Sequence, residues 1–150
     1  MYKLGMMDPD DSLRLENQLC FALVTAARNV VSIYRPILEP LGLTHPQYLV
    51  MLALWDRSPR SLNDLAADLA LDPATASPLV KRLEKEGLIA RERSSEDERR
   101  LDIRLTGAGT ALRKRAIEVP SKVMAAIQLD AAQIAGLRDE LSPFAGRVPE

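Results

Sequence analysis

Three kinds of residue in this chain could do chemistry, and two of them occur once. Cys20 is the only cysteine and His45 the only histidine among 150 residues. A lone thiol can be oxidised, or can act as a nucleophile in its thiolate form, and nearby donors lower its pKa. A lone imidazole can donate a hydrogen bond, or pair with an anion once protonated. The third kind is a set at helical spacing: Ala74, Thr75, Ser77, Pro78, Lys81, Arg82 and Lys85. On a wheel of about 100° per residue these fill one side, opposite Ala76, Leu79, Val80 and Leu83. Slim and hydroxyl residues come first; long cations follow a turn later. A helix entering a DNA major groove needs that order, with backbone near bases and cations near phosphates. A solvated amphipathic helix would look similar, but Pro78 in its interior costs about 3 kcal/mol and should have a reason.

A charged loop follows. Ser94-Ser95-Glu96-Asp97-Glu98-Arg99-Arg100 is a fully polar run between two alternating segments. Asp97 stands two residues before Arg99, so its carboxylate can fix the guanidinium. An oriented Arg suits a narrow minor groove and its strong negative potential. Arg91 and Arg93, on the segment leading in, are read as further DNA contacts. Alone, the run reads as a charge-balanced turn; beside the helix it reads as the other half of a DNA-contacting surface.

The elements that must position these side chains are legible from their ends. Ser61 reads as an N-cap with Asp64 three residues on, before the helical run Leu62, Leu65, Ala66 and Leu69. Asp72 can cap a second helix, with Pro73 at its first position, and Gly87 can end it in a left-handed conformation. Residues 88–93 alternate and read as a strand. Residues 101–105 alternate too, with Leu101, Ile103 and Leu105 on one face. Helix, turn, helix and hairpin in this order outline a winged helix-turn-helix.

Together these residues resemble the MarR family of transcription regulators over about residues 13–120. The matching pieces are Leu71-Asp72-Pro73-Ala74-Thr75, Ser77-Pro78-Leu79-Val80-Lys81-Arg82-Leu83-Glu84, Gly87-Leu88-Ile89, and Glu96-Asp97-Glu98-Arg99 before Leu105-Thr106. Each piece is weak; their order and spacing are specific. The resemblance implies a homodimer, joined through the first and last helices, with Arg99 reaching a minor groove from the wing tip.

Composition agrees with a mainly α domain. Hydrophobic residues make up 47% and charged ones 27%, with 4% aromatics, so the chain is globular and not disordered. Its length suits one domain of residues 1–150 with a real core. No run approaches the roughly 20 apolar residues that span a bilayer, so no membrane partner is expected. The lone thiol and the lack of a secretory pattern at Met1–Met7 point to the cytoplasm. Net charge decides nothing: residues 72–104 hold eight Lys or Arg and eight Asp or Glu. A DNA binder then has to separate its charges in space, with Glu84, Glu86 and Glu92 off the DNA face and Glu84 at the margin.

Residues 1–10 read as frayed. Asp11-Ser12 opens a long helix to about Tyr34 or Leu38, followed by an irregular Arg35–Gly42 connection holding two prolines. Two apolar stripes on this helix leave little solvated face, which a dimer interface would explain. Thr44 or His45 starts a buried scaffold helix carrying Tyr48, Met51 and Trp55. After the hairpin come helices split at Pro120, and a last helix from Leu129-Asp130 to Pro143. Residues 11–38 and 108–146 are thus assigned mainly to dimerisation, and 44–105 to the winged helix-turn-helix.

The sequence around Cys20, Tyr34-Arg35-Pro36 and Leu43–Tyr48 is similar to the organic-hydroperoxide sensors of the MarR family. That resemblance implies a thiol at the dimer interface, its thiolate stabilised by tyrosines of the partner and oxidised by peroxide until DNA is released. Tyr34 matches one tyrosine; His45 and Val24 stand where others are expected. The plain alternative makes Cys20 a small apolar residue and His45 a capping or packing residue. Another route is a small aromatic or lipophilic ligand in a cleft of Phe21, Tyr34, Tyr48, Met51 and Trp55, which otherwise read as ordinary core. A thiol peroxidase is a remote third; no catalytic set, phosphate loop, metal spacing or cofactor motif is present. The reading is a non-enzymatic regulator that binds a near-palindromic duplex operator.

Overall fold

The computed structural model describes residues 8–145. The long helix begins later than the apolar spacing predicts. Pro9–Ser12 form a short helix α1, Leu15–Asn17 a 3-10 turn, and α2 runs only from Leu19 to Leu38. Gln18 is extended, at φ −87 and ψ 120. Its amide donates to the Ser12 and Arg14 carbonyls, and the Asn17 amide donates to Asp11, so local side-chain bonds outcompete the helix there. At its other end α2 carries Pro36 within its last turn, and the irregular connection begins at Glu39 instead of Arg35. Of the frayed stretch foreseen at 1–10, residues 1–7 lie outside the described residues, as does residue 146.

Helix α3 spans His45–Asp56 and is closed by a capping box between Thr44 and Gln47, so Thr44, not His45, is the cap. A two-residue strand β1, Arg60–Ser61, precedes α4, Leu62–Asp68, where the Ser61 side chain accepts from the Asp64 N–H as its spacing foretold. Helix α5 is Pro73–Lys85. Asp72 stands at its N-cap, but its side chain makes no capping bond there. The far end closes as a Schellman turn: Leu88 N–H donates to Leu83 and Gly87 N–H to Glu84, with Gly87 at φ +79.

The hairpin is β2, Ile89–Arg93, paired antiparallel with β3, Leu101–Leu105. Strand β1 adds to the other edge of β3, giving the order β1-β3-β2, a third strand that the sequence pattern did not announce. Leu101 shares a face with Ile103 but is 51% exposed, because it lies beyond the core toward the wing tip. Asp102 is buried beside Ile103, opposite Ser61 and Glu92 and paired with Arg100 at 3.0 Å.

Helix α6, Gly107–Ala116, packs its start under the hairpin. A Cβ on Gly109 would fall 2.0 Å from the Leu88 carbonyl oxygen, so only glycine fits that approach. Pro120 does split the chain, into α6 and α7, Val119–Ile127. Asp130 caps α8, Ala131–Leu141, through a capping box with Gln133. The core gathers Leu38, Tyr48, Val50, Met51, Leu54, Leu65, Val80, Leu83, Ile89 and Ile103. Helices α3, α4, α5 and the hairpin therefore share one packed interior. By contrast α8 buries none of its residues, and its sustained contacts are with the 3-10 turn that follows it.

Candidate functional site

The face of α5 turned to solvent is the one the wheel selects. Ala76, Val80 and Leu83 are buried, while Ala74, Thr75, Pro78, Lys81, Arg82 and Lys85 are exposed and Ser77 is half-buried. Pro78 sits in the sixth helical position, where the missing N–H would otherwise bond to Ala74. The amide that goes missing is on the solvent side, and the ring adds a rigid apolar ridge to the face.

Acids in this region are held by cations. Glu84 accepts two bonds from Arg91, at 3.0 and 2.9 Å. Arg82 lies 3.9 Å from Glu86, and Arg104 bonds Glu92 at 2.8 Å. The Arg91 hydrogen bond holds the Glu84 carboxyl below the usual carboxylate range. Among the described residues Lys81, Lys85 and Arg99 form no ion pair, so exposed positive charge remains on the α5 face and at the wing.

At the wing tip the geometry differs from expectation. Asp97 fixes the backbone of Arg99, accepting from its N–H at 3.0 Å, and not the guanidinium. This is a local Asx turn, which a short acidic side chain forms with the amide two residues on. Ser94 supports the same turn, accepting from the N–H groups of Glu96 and Asp97. The loop is thereby shaped and the Arg99 side chain is left exposed. Arg93 donates to the Glu98 carbonyl at 3.0 Å, bracing the loop from its base. Sequence spacing did not reveal the Glu84–Arg91 pair, which joins two elements. Nor did it reveal Arg60, whose buried guanidinium bonds the Ala53 and Asp64 carbonyls and the Asp68 carboxylate.

Cys20 is exposed, on the second residue of α2. Tyr34 stands fourteen residues later on the same helix, so about 21 Å separates them along its axis at 1.5 Å per residue. Within one chain the two cannot touch. Tyr34 instead meets His45 at 4.8 Å between ring centres and Tyr48 at 6.0 Å. Burial pushes the His45 pKa down and that of Tyr34 up; Tyr48 is raised by burial and then by Tyr34. A cleft of ≈ 470 Å³ opens beside His45, with Val31 and Arg35 of α2 on one wall and Arg82 of α5 and its C-cap Glu86 on another.

The five residues proposed as a lipophilic cleft do not all line one cleft, although Tyr34 lies 6.0 Å from Tyr48 between ring centres. Met51 is fully buried in the core. Tyr48 is buried too, though with Trp55 it borders a cleft of ≈ 350 Å³ next to Arg113. Trp55 donates its indole N–H to the Gly109 carbonyl at 2.9 Å, and Phe21 lies 44% exposed on α2 near Arg14. A scaffold helix buries its aromatic side chains in its own domain before any ligand can claim them. Among the described residues no cluster of three His, Cys, Asp or Glu could hold a metal, and no helix is long and apolar enough to cross a membrane.

Comparison with known proteins follows the same outline. Residues 43–101 match the MarR family model. The chain is 41% identical over 114 residues to the organic hydroperoxide resistance transcriptional regulator of Bacillus subtilis strain 168, covering 76% of this chain and 78% of that one. It is 38% identical over 139 residues to the HTH-type transcriptional regulator MgrA of Staphylococcus aureus, covering 92% of each. Reduced AbfR bound to DNA matches it with a TM-score of 0.74 at 34% identity, over 90% of this chain and 94% of that one. AbfR of Staphylococcus epidermidis is also known overoxidised on DNA and in a disulfide form.

Proposed function

The chain belongs to the MarR family of DNA-binding transcriptional regulators, and from that premise we propose a homodimeric repressor that leaves a near-palindromic operator when an organic hydroperoxide oxidises Cys20. The α5 face supplies the groove contacts: Ala74, Thr75, Ser77 and Pro78 near bases, Lys81 and Arg82 near phosphates. Arg93 and Asp97 shape the wing, and Arg99 enters the minor groove.

The observation that supports dimerisation is the uncovered apolar surface of the terminal helices. Leu19, Phe21, Val24, Val30 and Val31 on α2, and Leu137 and Leu141 on α8, are all more than a third exposed. Apolar side chains that stay this exposed after a helix has packed in its own chain need a second copy to bury them. Cys20 lies within that surface. Since Tyr34 is out of reach in the same chain, the tyrosine and His45 that tune the thiol belong to the other copy.

The chemistry is a single displacement. The Cys20 thiolate attacks the terminal oxygen of the hydroperoxide, the O–O bond breaks, and an S–O bond forms. The alkoxide leaves and takes a proton as the alcohol, while the sulfur becomes a sulfenic acid. With one cysteine in the chain, a small external thiol can then condense with the sulfenic acid, releasing water and leaving a mixed disulfide. A bulky or charged adduct on a packed apolar interface forces the two copies apart or askew, and the paired α5 helices lose their spacing.

The test uses a duplex enriched from a random library by the reduced wild-type protein. Cumene hydroperoxide with a small thiol should release the wild-type protein from it, while Cys20→Ser binds as tightly as before and stays bound. Release of Cys20→Ser by the same treatment would remove the redox reading.

A further inference from the structure

The Glu84–Arg91 pair supports one more inference, which rests on the DNA-binding reading. Glu84 occupies a place hostile to an acid on two counts. It lies on α5 between Lys81 and Lys85, next to the surface that meets polyanionic DNA. It is also in the last turn of α5, where the helix dipole presents its negative end. Its lowered pKa means that it does not escape by taking up a proton.

Arg91 reaches it by strand register. Ile89 and Ile103 face the core; Arg91 is two residues on from Ile89 and opposite Ile103, so it shares their face of the hairpin. That face runs out from the core to the rim where α5 passes, and Glu84 follows directly on buried Leu83. The fork of the guanidinium meets both carboxylate oxygens, and each side chain is 35% exposed. Two of its N–H groups are engaged this way, which fixes the plane of the guanidinium.

We propose that Arg91 serves DNA binding by its charge and not as a phosphate contact: it cancels the Glu84 charge beside the α5 face. Removing Arg91 alone then exposes an acid to the DNA. Removing both members costs little, because the net charge returns to that of the wild type.

Arg91→Gln, Glu84→Gln and the double variant test this by fluorescence-anisotropy titration on the enriched duplex at several salt concentrations, with thermal melts to confirm folding. Arg91→Gln should weaken binding about tenfold, less than a desolvated like-charge contact because both side chains are 35% exposed. Glu84→Gln should bind as tightly as wild type or more so. The double variant should return to within about threefold of wild type and keep its salt slope, because no phosphate contact is lost. A double variant as weak as Arg91→Gln, with a slope reduced by about 0.9, would show a direct phosphate contact and overturn the proposal. So would equal weakening in all three variants, the mark of a purely structural pair. A wild-type chain that enriches no duplex would sink the DNA-binding reading itself, and the pair proposal with it.

Discussion

The two halves of this molecule differ in what they need from a second chain. The half from α3 to β3 closes on itself: Leu54, Leu65, Val80, Leu83, Ile89 and Ile103 are each at most 2% exposed within one copy. Helices α2 and α8 do not close. Only Leu38 is buried on α2 and nothing on α8, although both carry large apolar side chains. A reading domain with its own core can be positioned as a rigid body. A terminal pair without one has to borrow its partner's core, and whatever disturbs that shared core moves two reading domains at once. On the mechanism proposed above, a thiol on that surface acts at a distance on DNA binding.

The largest expected break in this contrast is at α8. Leu137→Asp with Leu141→Asp puts charge on the shared surface and should convert the dimer to monomer by sedimentation. Affinity for a two-half-site duplex should fall by about a thousandfold, the scale of avidity lost when two linked sites are separated. Far-UV circular dichroism should still report a folded reading domain.

How far the sequence foretold this contrast depends on the kind of signal. Ser61, Pro73 and Gly87 act locally, through one cap, one ring and one left-handed residue, so the ends of α4 and α5 were legible. The wheel also sorted α5 into its buried and exposed sides. Strand β1 was not foreseen, since two residues are too few to alternate. The start of α2 was misplaced because Leu13 and Leu15 continue the apolar spacing past an extended Gln18. Arg91 reads as a DNA contact by its charge; its bond to Glu84 joins two elements, and no spacing rule reaches that far. Phe21, Tyr48, Met51 and Trp55 read alike by chemistry, but Tyr48 and Trp55 share one rim while Met51 turns into the core and Phe21 stands exposed on α2.

Within the self-contained half, Leu83→Ala should lower unfolding free energy by about 3 kcal/mol, since the side chain is fully buried between α5 and the hairpin. Denaturant titration checks it. Dimerisation should persist in the folded fraction, because the shared surface lies elsewhere.

A smaller effect belongs to the wing. Arg99→Ala should weaken binding to the enriched duplex about tenfold and reduce the salt slope by about one or less, with the melting temperature unchanged. Unchanged affinity in a gel-shift titration would remove Arg99 from the interface.

The smallest effect is on pH. Burial lowers the His45 pKa in the folded chain. Below the unfolded value of about 6.5 the unfolded chain therefore binds more protons, and stability falls as pH drops through that window. His45→Gln should flatten the melting temperature between about pH 7 and pH 5. An equally steep dependence in the variant would assign it to other groups.

One measurement addresses the borrowed site most directly. A mixed dimer is prepared from two tagged chains, one Cys20→Ser, the other Tyr34→Phe with His45→Phe. Its remaining Cys20 then faces intact Tyr34 and His45 across the interface. That thiol should consume one equivalent of cumene hydroperoxide at the wild-type rate, while the Tyr34→Phe/His45→Phe homodimer reacts more slowly. A mixed dimer as slow as that homodimer, or a homodimer as fast as wild type, would contradict a thiol tuned by the second copy.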